Sequence, residues 1–385
     1  MRVKTGLEVF LRADAVRQLG RIGLVSQNAA QLTDGTHCVD ALRAAGAQVT
    51  ALFGPEHGLH GVEMDGEKVG HSTEAKTGIP IFSLYGDIRQ PTAEMLKSVD
   101  TLIFDMQGVG TRFYTYLSTL YFVLKAAAEN DRPLIVLDRP NPLSALHPAG
   151  PMLRPEFVSF VGVVPMPLMH GLTIGEFASW VNSSQRIDAN LSVIGMENWH
   201  RSMTFEQTGL PWIPTSPAMR TVDTVRVYPG TCQFEGTNLS EGRGTAHPFS
   251  VIGAPWINGE ALAEVLNGFE LPGVHFEPAA FTPAISKHQG VRCYGVRICV
   301  TERQLFDPIR TGLHILTESR KQSPENFVFL PSSWEGKARH YDLIMGSAET
   351  REAILEDSPV DEIIRTWDED LKSYQKQIKP FYLYD

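Results

Sequence analysis

Five short apolar segments, separated by helical patterns, constrain this chain most. They are RIGLVS (21–26), QVTALF (48–53), PIFSL (80–84), TLIFD (101–105) and PLIVLD (133–138). Short runs rich in β-branched residues, without polar alternation, read as strands buried on both faces. Between them, 36–46 carries Val39 and Leu42 at helical spacing and stops at Gly46. Residues 91–97 begin at Pro91, and 114–129 form a longer, mostly apolar pattern. Strands that alternate with helices predict a parallel sheet with right-handed crossovers. The first 150 residues are therefore expected to be a doubly wound α/β domain.

Residues 151–385 mix patterns and read as a smaller α+β domain. Thr173 and Glu176 frame a capping box opening a helix over 173–182. Helices are expected over 259–269, 307–320 and 359–376, and strands over 191–196 and 291–300. Residues 228–247 hold four glycines and read as neither regular helix nor strand.

The chain has 385 residues and a formal net charge of −10, which argues against nucleic acid or an anionic membrane as partner. No stretch approaches the ~18 apolar residues of a spanning helix. The N-terminal apolar run is too interrupted for a signal peptide. The compartment stays open: cytoplasmic as the sequence stands, or secreted or periplasmic if a signal has been trimmed. The four cysteines form no C-x-x-C pair and read as reduced thiols.

Ligands of open α/β sheets bind beyond the carboxyl ends of the strands. Gln27 and Asn28 follow the first strand, and Gly54-Pro55-Glu56-His57-Gly58 the second. The fourth ends at Asp105 and is followed by Gln107, Arg112 and Tyr114, and the fifth ends at Asp138 and is followed by Arg139 and Asn141. In the second half, Glu235, Asn238, Ser240, Glu241 and Arg243 gather among glycines. Glu56 precedes a long loop, 58–79, a hallmark of functional segments. Turn capping by Glu56, Asp105 and Asp138, and a core role for Tyr114, are the bland readings.

No phosphate-binding loop, dinucleotide fingerprint or nucleophile elbow is present. No cofactor is expected. His57 and His60 alone make a weak metal pair, and no metal is expected. Carboxylates, amides, tyrosines and arginines without a nucleotide motif suit a polyhydroxylated substrate. Glycoside hydrolysis needs a carboxyl acid and a second group. Glu56 is the first choice for the acid. Its partner could be Asp105, Asp138, Glu235, Glu241 or a tyrosine such as Tyr114.

GLEVFL (6–11), GRIGLVSQNA (20–29), LFGPEHGLHG (52–61), FDMQGVGTRFYTYLST (104–119), LDRPNP (137–142), PMPLMHGLTIGE (165–176), PTSPAM (214–219), YPGTCQFEGTNLSEGRGT (228–245) and FTPAISKHQG (281–290) resemble the exo-β-N-acetylmuramidases of bacterial peptidoglycan turnover. The resemblance runs from about residue 6 to the closing FYLYD. It implies a Rossmann-like N-terminal domain and a smaller C-terminal domain closing a cleft that holds the site. It implies release of N-acetylmuramic acid from non-reducing ends of peptidoglycan fragments. The family's glutamate in S-P-E-H-G corresponds to Glu56, with Gly54 here in place of serine. Gln107-Gly108 stands where glutamine-aspartate is expected. Arg112, Arg139 or Arg243 would then hold the lactyl carboxylate, with Asn28, His57, Asp138, Asn141, Glu235 and Asn238 as further substrate contacts. The competing readings are a metal-dependent hydrolase and a non-catalytic sugar-binding protein on the same fold.

Overall fold

The structure, a computed structural model, describes residues 1–61, 63, 70–145, 147–332 and 338–385. Part of the expected 58–79 loop, residues 62 and 64–69, lies outside the described residues. The strands are β1 (Arg21–Ser26), β2 (Gln48–Gly54), β3 (Ser72–Thr73), β4 (Pro80–Ser83), β5 (Thr101–Asp105), β6 (Leu134–Leu137), β7 (Ala149–Met152), β8 (Pro167–Met169), β9 (Leu191–Ile194), β10 (Val251–Ala254), β11 (Val274–Phe281) and β12 (Cys293–Val300). The principal helices are α1 (Gly6–Phe10), α2 (Cys38–Ala44), α3 (Tyr116–Glu129), α4 (Ile174–Ser184), α5 (Val222–Thr231), α6 (Gly259–Gly268) and α7 (Pro308–Gln322).

The chain divides into two compact units. The first comprises Met1–His147, His170–Arg220 and Gln375–Asp385; the second comprises Pro148–Met169 and Thr221–Tyr374. The first unit is built on a seven-stranded sheet of order β3-β4-β2-β1-β5-β6-β9. All its pairings are parallel except β3 with β4. This is the α/β architecture that the strand runs predict. One face of the sheet packs through Ile22, Leu24, Ile103, Ile135 and Leu137 against Leu7 and Phe10 of α1 and Val39 and Leu42 of α2. Alternate residues of a strand point to opposite faces, so Leu102, Phe104, Leu134 and Val136, also buried, face the other side. Each such fully buried Leu, Ile or Phe contributes roughly 1.5–3 kcal/mol.

The second unit holds a three-stranded antiparallel sheet, β10-β12-β11, and the antiparallel pair β7-β8. Helix α6 covers β11 and β12, and α5 packs on α7.

Three local expectations are corrected. Residues 91–97 form turns rather than a helix. Thr92 Oγ1 takes the Met95 N–H, and Pro91 and β5 leave only nine residues between them, below the length at which a helix sustains itself. The helix expected over 359–376 is two, Val360–Arg365 and Asp368–Ile378. Thr366 Oγ1 donates to the Ile363 carbonyl and closes the first, while Asp368, Glu369 and Asp370 favour a fresh helix N-terminus. The glycine-rich stretch from 228 is helical to Gly236: α5 runs through Pro229 and Gly230, and a 3-10 turn follows over Cys232–Gly236. A Cβ on Gly230 would collide with the Pro308 carbonyl of α7. Close helix packing overrides the poor propensity there.

Candidate active site

The strand order places β1 at the centre, with β2 on one side and β5 on the other. The connections reverse direction there, so a crevice opens at the carboxyl ends of β1 and β5. The sequence delivers its polar residues to this edge.

Glu56 lies two residues past β2 in a hydrogen-bonded turn, with the Gly58 N–H donating to the Pro55 carbonyl at 2.9 Å. His57 occupies the third turn position at φ +69°, a region few side chains adopt. It is buried, and its Nδ1 donates to the Glu63 carbonyl at 2.8 Å. Gly54 permits a close approach: a Cβ there would meet the Leu59 nitrogen at 2.9 Å. The turn is thus pinned on both sides of Glu56. The half-buried Glu56 carboxylate accepts a hydrogen bond from Thr115 Oγ1 at 2.7 Å. Thr115 is the N-cap residue of α3, so Glu56 stands at the positive end of a 14-residue helix.

Tyr114 adjoins this carboxylate. Its hydroxyl donates to Thr215 Oγ1 at 2.7 Å, and its ring stacks edge-on against Tyr116 at 4.7 Å. The Tyr116 hydroxyl donates to the Thr215 carbonyl at 2.6 Å. Burial, with a smaller push from the charge of Glu56, drives the Tyr114 phenol well above its ordinary value. Tyr114 is therefore a neutral hydrogen-bonding group, not a tyrosinate.

Asp105 and Arg139 form a buried bidentate pair, Nε to Oδ1 at 2.5 Å and Nη2 to Oδ2 at 3.0 Å. Asp138 is wholly buried and accepts four donors: the Tyr384 hydroxyl at 2.6 Å, Thr173 Oγ1 at 2.7 Å, the Gly175 N–H at 2.8 Å and the Arg139 N–H at 2.9 Å. It ties the end of β6 to the start of α4 and to the C-terminal tail. Burial pushes its carboxyl up to about 6, against the pull of those donors.

A pH effect follows for Asp138. A carboxyl raised in the folded state stabilises the fold fully below its unfolded value of about 3.9. That contribution is lost as pH rises through about 6. Tyr384→Phe removes a donor and raises the folded value further. Tyr384→Phe also leaves the Met196 N–H without its acceptor at any pH, so the variant's stability deficit is expected to be present near pH 5 and to grow by roughly a further 1–3 kcal/mol by pH 7.5, measured by urea unfolding. A deficit that shrinks with rising pH would contradict the assignment.

Asn141 is a structural amide: Nδ2 donates to the Leu172 carbonyl at 3.0 Å and Oδ1 accepts the Leu143 N–H at 3.0 Å. Asn28 is half-buried; its carbonyl accepts Gln31 Nε2, and its side chain leaves 3.1 Å for a Cβ at Gly61. Arg112 is buried, which pushes its guanidinium down to about 9. His170 is buried and pushed down to about 3, so its ring is neutral.

A small pocket, open to solvent, lies at the ends of β5 and β6. Gly108–Thr111, Tyr114, Arg139, Asn141, His170, Thr173 and Ile174 line it. Arg139 also lines a second small pocket, beside Gln31, Gln107, Phe205 and Trp212. Glu56, Tyr114, Asp105, Arg112, Asp138, Arg139, Asn141, His57 and Asn28 are thus all in the first unit.

Glu235, Asn238, Glu241 and Arg243 form a separate network within the second unit. Arg243 donates to Glu235 at 2.6 Å, and its guanidinium lies 4.8 Å over Phe249. Burial works to raise Glu235, but Arg243 and His340 outweigh it and bring it down to about 2. Glu241 is held by Lys287 at 2.7 Å and Arg243 at 3.4 Å. Asn238 serves Asn326 and Val328, and its carbonyl accepts from His288. Sequence reasoning missed Thr115, Thr215, Tyr384 and the buried Glu176–Arg201 pair. The Tyr114-Thr115-Tyr116 triplet was the available signal for the first two.

Residues 22–223 match the family described as exo-β-N-acetylmuramidase NamZ, N-terminal, and residues 226–384 its C-terminal counterpart. The chain is 45% identical over 386 residues to peptidoglycan β-N-acetylmuramidase NamZ of Bacillus subtilis (strain 168), covering 100% of this chain and 92% of that protein. Two crystal structures of DUF1343 family proteins from Bacteroides fragilis are similar along the whole chain and 99% of their own. One has a TM-score of 0.90 at 32% identity, the other 0.79 at 28%.

Proposed function

The chain belongs to the NamZ family of exo-β-N-acetylmuramidases, glycoside hydrolases that release N-acetylmuramic acid from peptidoglycan, and on that premise we propose that Glu56 is its general acid/base. The observation that carries this reading is the Glu56–Thr115 hydrogen bond, which holds a half-buried carboxylate on a rigid turn at the carboxyl edge of the sheet. The other strand-end carboxylates have structural work: Asp105 is consumed by Arg139 and Asp138 by four donors.

Glu56 protonates the glycosidic oxygen as the bond to the leaving sugar breaks, then takes a proton from the incoming water. Asp105, Asp138, Glu235 and Glu241 are each engaged by protein partners, so we propose the substrate's own 2-acetamido oxygen as the nucleophile. It attacks the anomeric carbon as the leaving group departs, and water reopens the resulting ring. Tyr114 offers a neutral hydroxyl beside the acid. Arg139, which lines the pocket, meets the lactyl carboxylate with a guanidinium already oriented by Asp105.

The test uses the disaccharide of N-acetylmuramic acid β-linked to N-acetylglucosamine, and longer peptidoglycan fragments ending in N-acetylmuramic acid. Free N-acetylmuramic acid is expected, one residue at a time from the non-reducing end. Internal cleavage, or no release from either substrate, counts against the reading. A substrate with a trifluoroacetamido group in place of acetamido is expected to react slower by roughly 100-fold or more, because its carbonyl is a weaker nucleophile. An unchanged rate would point to a protein nucleophile.

A further inference from the structure

We infer that Thr115 is a positioning residue that orients Glu56 and fixes which of its oxygens carries the transferable proton. The inference rests on the reading of Glu56 as acid/base. An N-cap threonine ordinarily spends its hydroxyl on the second or third N–H of its helix. Three others in this chain do so: Thr5 accepts from the Glu8 N–H, Thr173 from the Glu176 N–H and Thr221 from the Thr224 N–H. Each of those has an extended backbone. Thr115 differs. Its backbone is already helical at φ −61°, ψ −10°, and its side chain caps nothing in α3. The hydroxyl goes to Glu56 Oε2 instead.

The residue is also held in place. The Thr115 carbonyl accepts both the N–H and the Oγ1 of Thr119, at 2.9 and 3.2 Å. Tyr114 and Tyr116 on either side are fixed by hydrogen bonds to Thr215. Thr115 itself is buried. The helix forgoes a side-chain cap, and a hydroxyl on a clamped backbone is aimed at the carboxylate.

The chemical consequence is specific. A hydroxyl that donates to Oε2 needs an acceptor there in both protonation states of Glu56. In this proposal the proton of the acid form therefore sits on Oε1 and is delivered from there to the glycosidic oxygen.

The test is kcat and KM for the disaccharide, using Thr115→Val, Thr115→Ser, Glu56→Gln and the double variant Glu56→Gln/Thr115→Val, each checked for folding by thermal melting. Thr115→Val is expected to lower kcat by roughly 10–100-fold, the size of a hydrogen bond to a charged group, with KM within about twofold. Thr115→Ser restores the rate. In the Glu56→Gln background, Thr115→Val has no further effect. A Thr115→Val enzyme with the wild-type rate overturns the inference. So does a rate loss that serine fails to rescue or that persists in full in the Glu56→Gln background, since either marks a purely structural role. Full activity of Glu56→Gln overturns the acid/base reading itself, a separate outcome that needs no threonine variant.

Discussion

Glu56→Gln is expected to lower kcat on the disaccharide by roughly 10³-fold, within the range general acid–base catalysis supplies. That loss corresponds to about 4 kcal/mol of transition-state stabilisation. The loss should depend on the leaving group. An N-acetylglucosamine alkoxide needs a proton as it departs, whereas a nitrophenolate does not. With 4-nitrophenyl N-acetylmuraminide, the first bond cleavage should fall by no more than about 10-fold, since the acid's contribution is small there. Stability should change by less than about 1 kcal/mol, because the amide oxygen of glutamine can still accept from Thr115 and the side chain is only half-buried. Equal losses on both substrates would mean that Glu56 does not act as the acid. A large fall in stability would make it a structural carboxylate.

The contrast between Glu56 and its neighbours explains what the sequence could and could not convey. Four strand runs in the first 150 residues, at 21–26, 48–53, 101–105 and 133–138, became parallel neighbours in the sheet because a continuous apolar run has nowhere to go but a doubly covered interior. The Thr173–Glu176 capping box was legible because both partners lie within one turn. The site was legible as a set of strand-end residues, since strand ends in parallel sheets share one edge. The roles within that set were not. Asp105, Asp138 and Glu56 all follow strands with similar surroundings in sequence. What separates them is an arginine 34 residues away, a tyrosine 246 residues away and a threonine 59 residues away. Spacing carries no record of such pairings. Helix α5 failed to be read for a related reason: Gly230 looks like a breaker, yet it is the residue that lets α5 approach α7.

The Asp105–Arg139 pair puts this separation of roles to its sharpest test. Asp105 is fully buried, and both its oxygens receive the guanidinium. Removing one member of such a pair leaves the other charge buried without compensation. Asp105→Asn is therefore expected to destabilise the protein by roughly 3–5 kcal/mol. A catalytic carboxylate would behave otherwise, with activity lost and stability kept or gained. The double variant Asp105→Leu/Arg139→Met separates the two further. A buried ion pair replaced by apolar side chains of similar volume often recovers the lost stability, because neither charge then has to be desolvated. The double variant should accordingly unfold at nearly the wild-type urea concentration. If Arg139 also meets the lactyl carboxylate, that restored protein will still bind N-acetylmuraminides poorly, with KM raised by roughly 10-fold or more for the loss of one charge-assisted contact. Its KM for the matching N-acetylglucosaminide, which lacks the lactyl group, should not change with the substitution. Stability that returns without the KM penalty would confine Arg139 to the scaffold. A penalty felt equally by both sugars would place its effect in the shape of the pocket, not in the recognition of the acid.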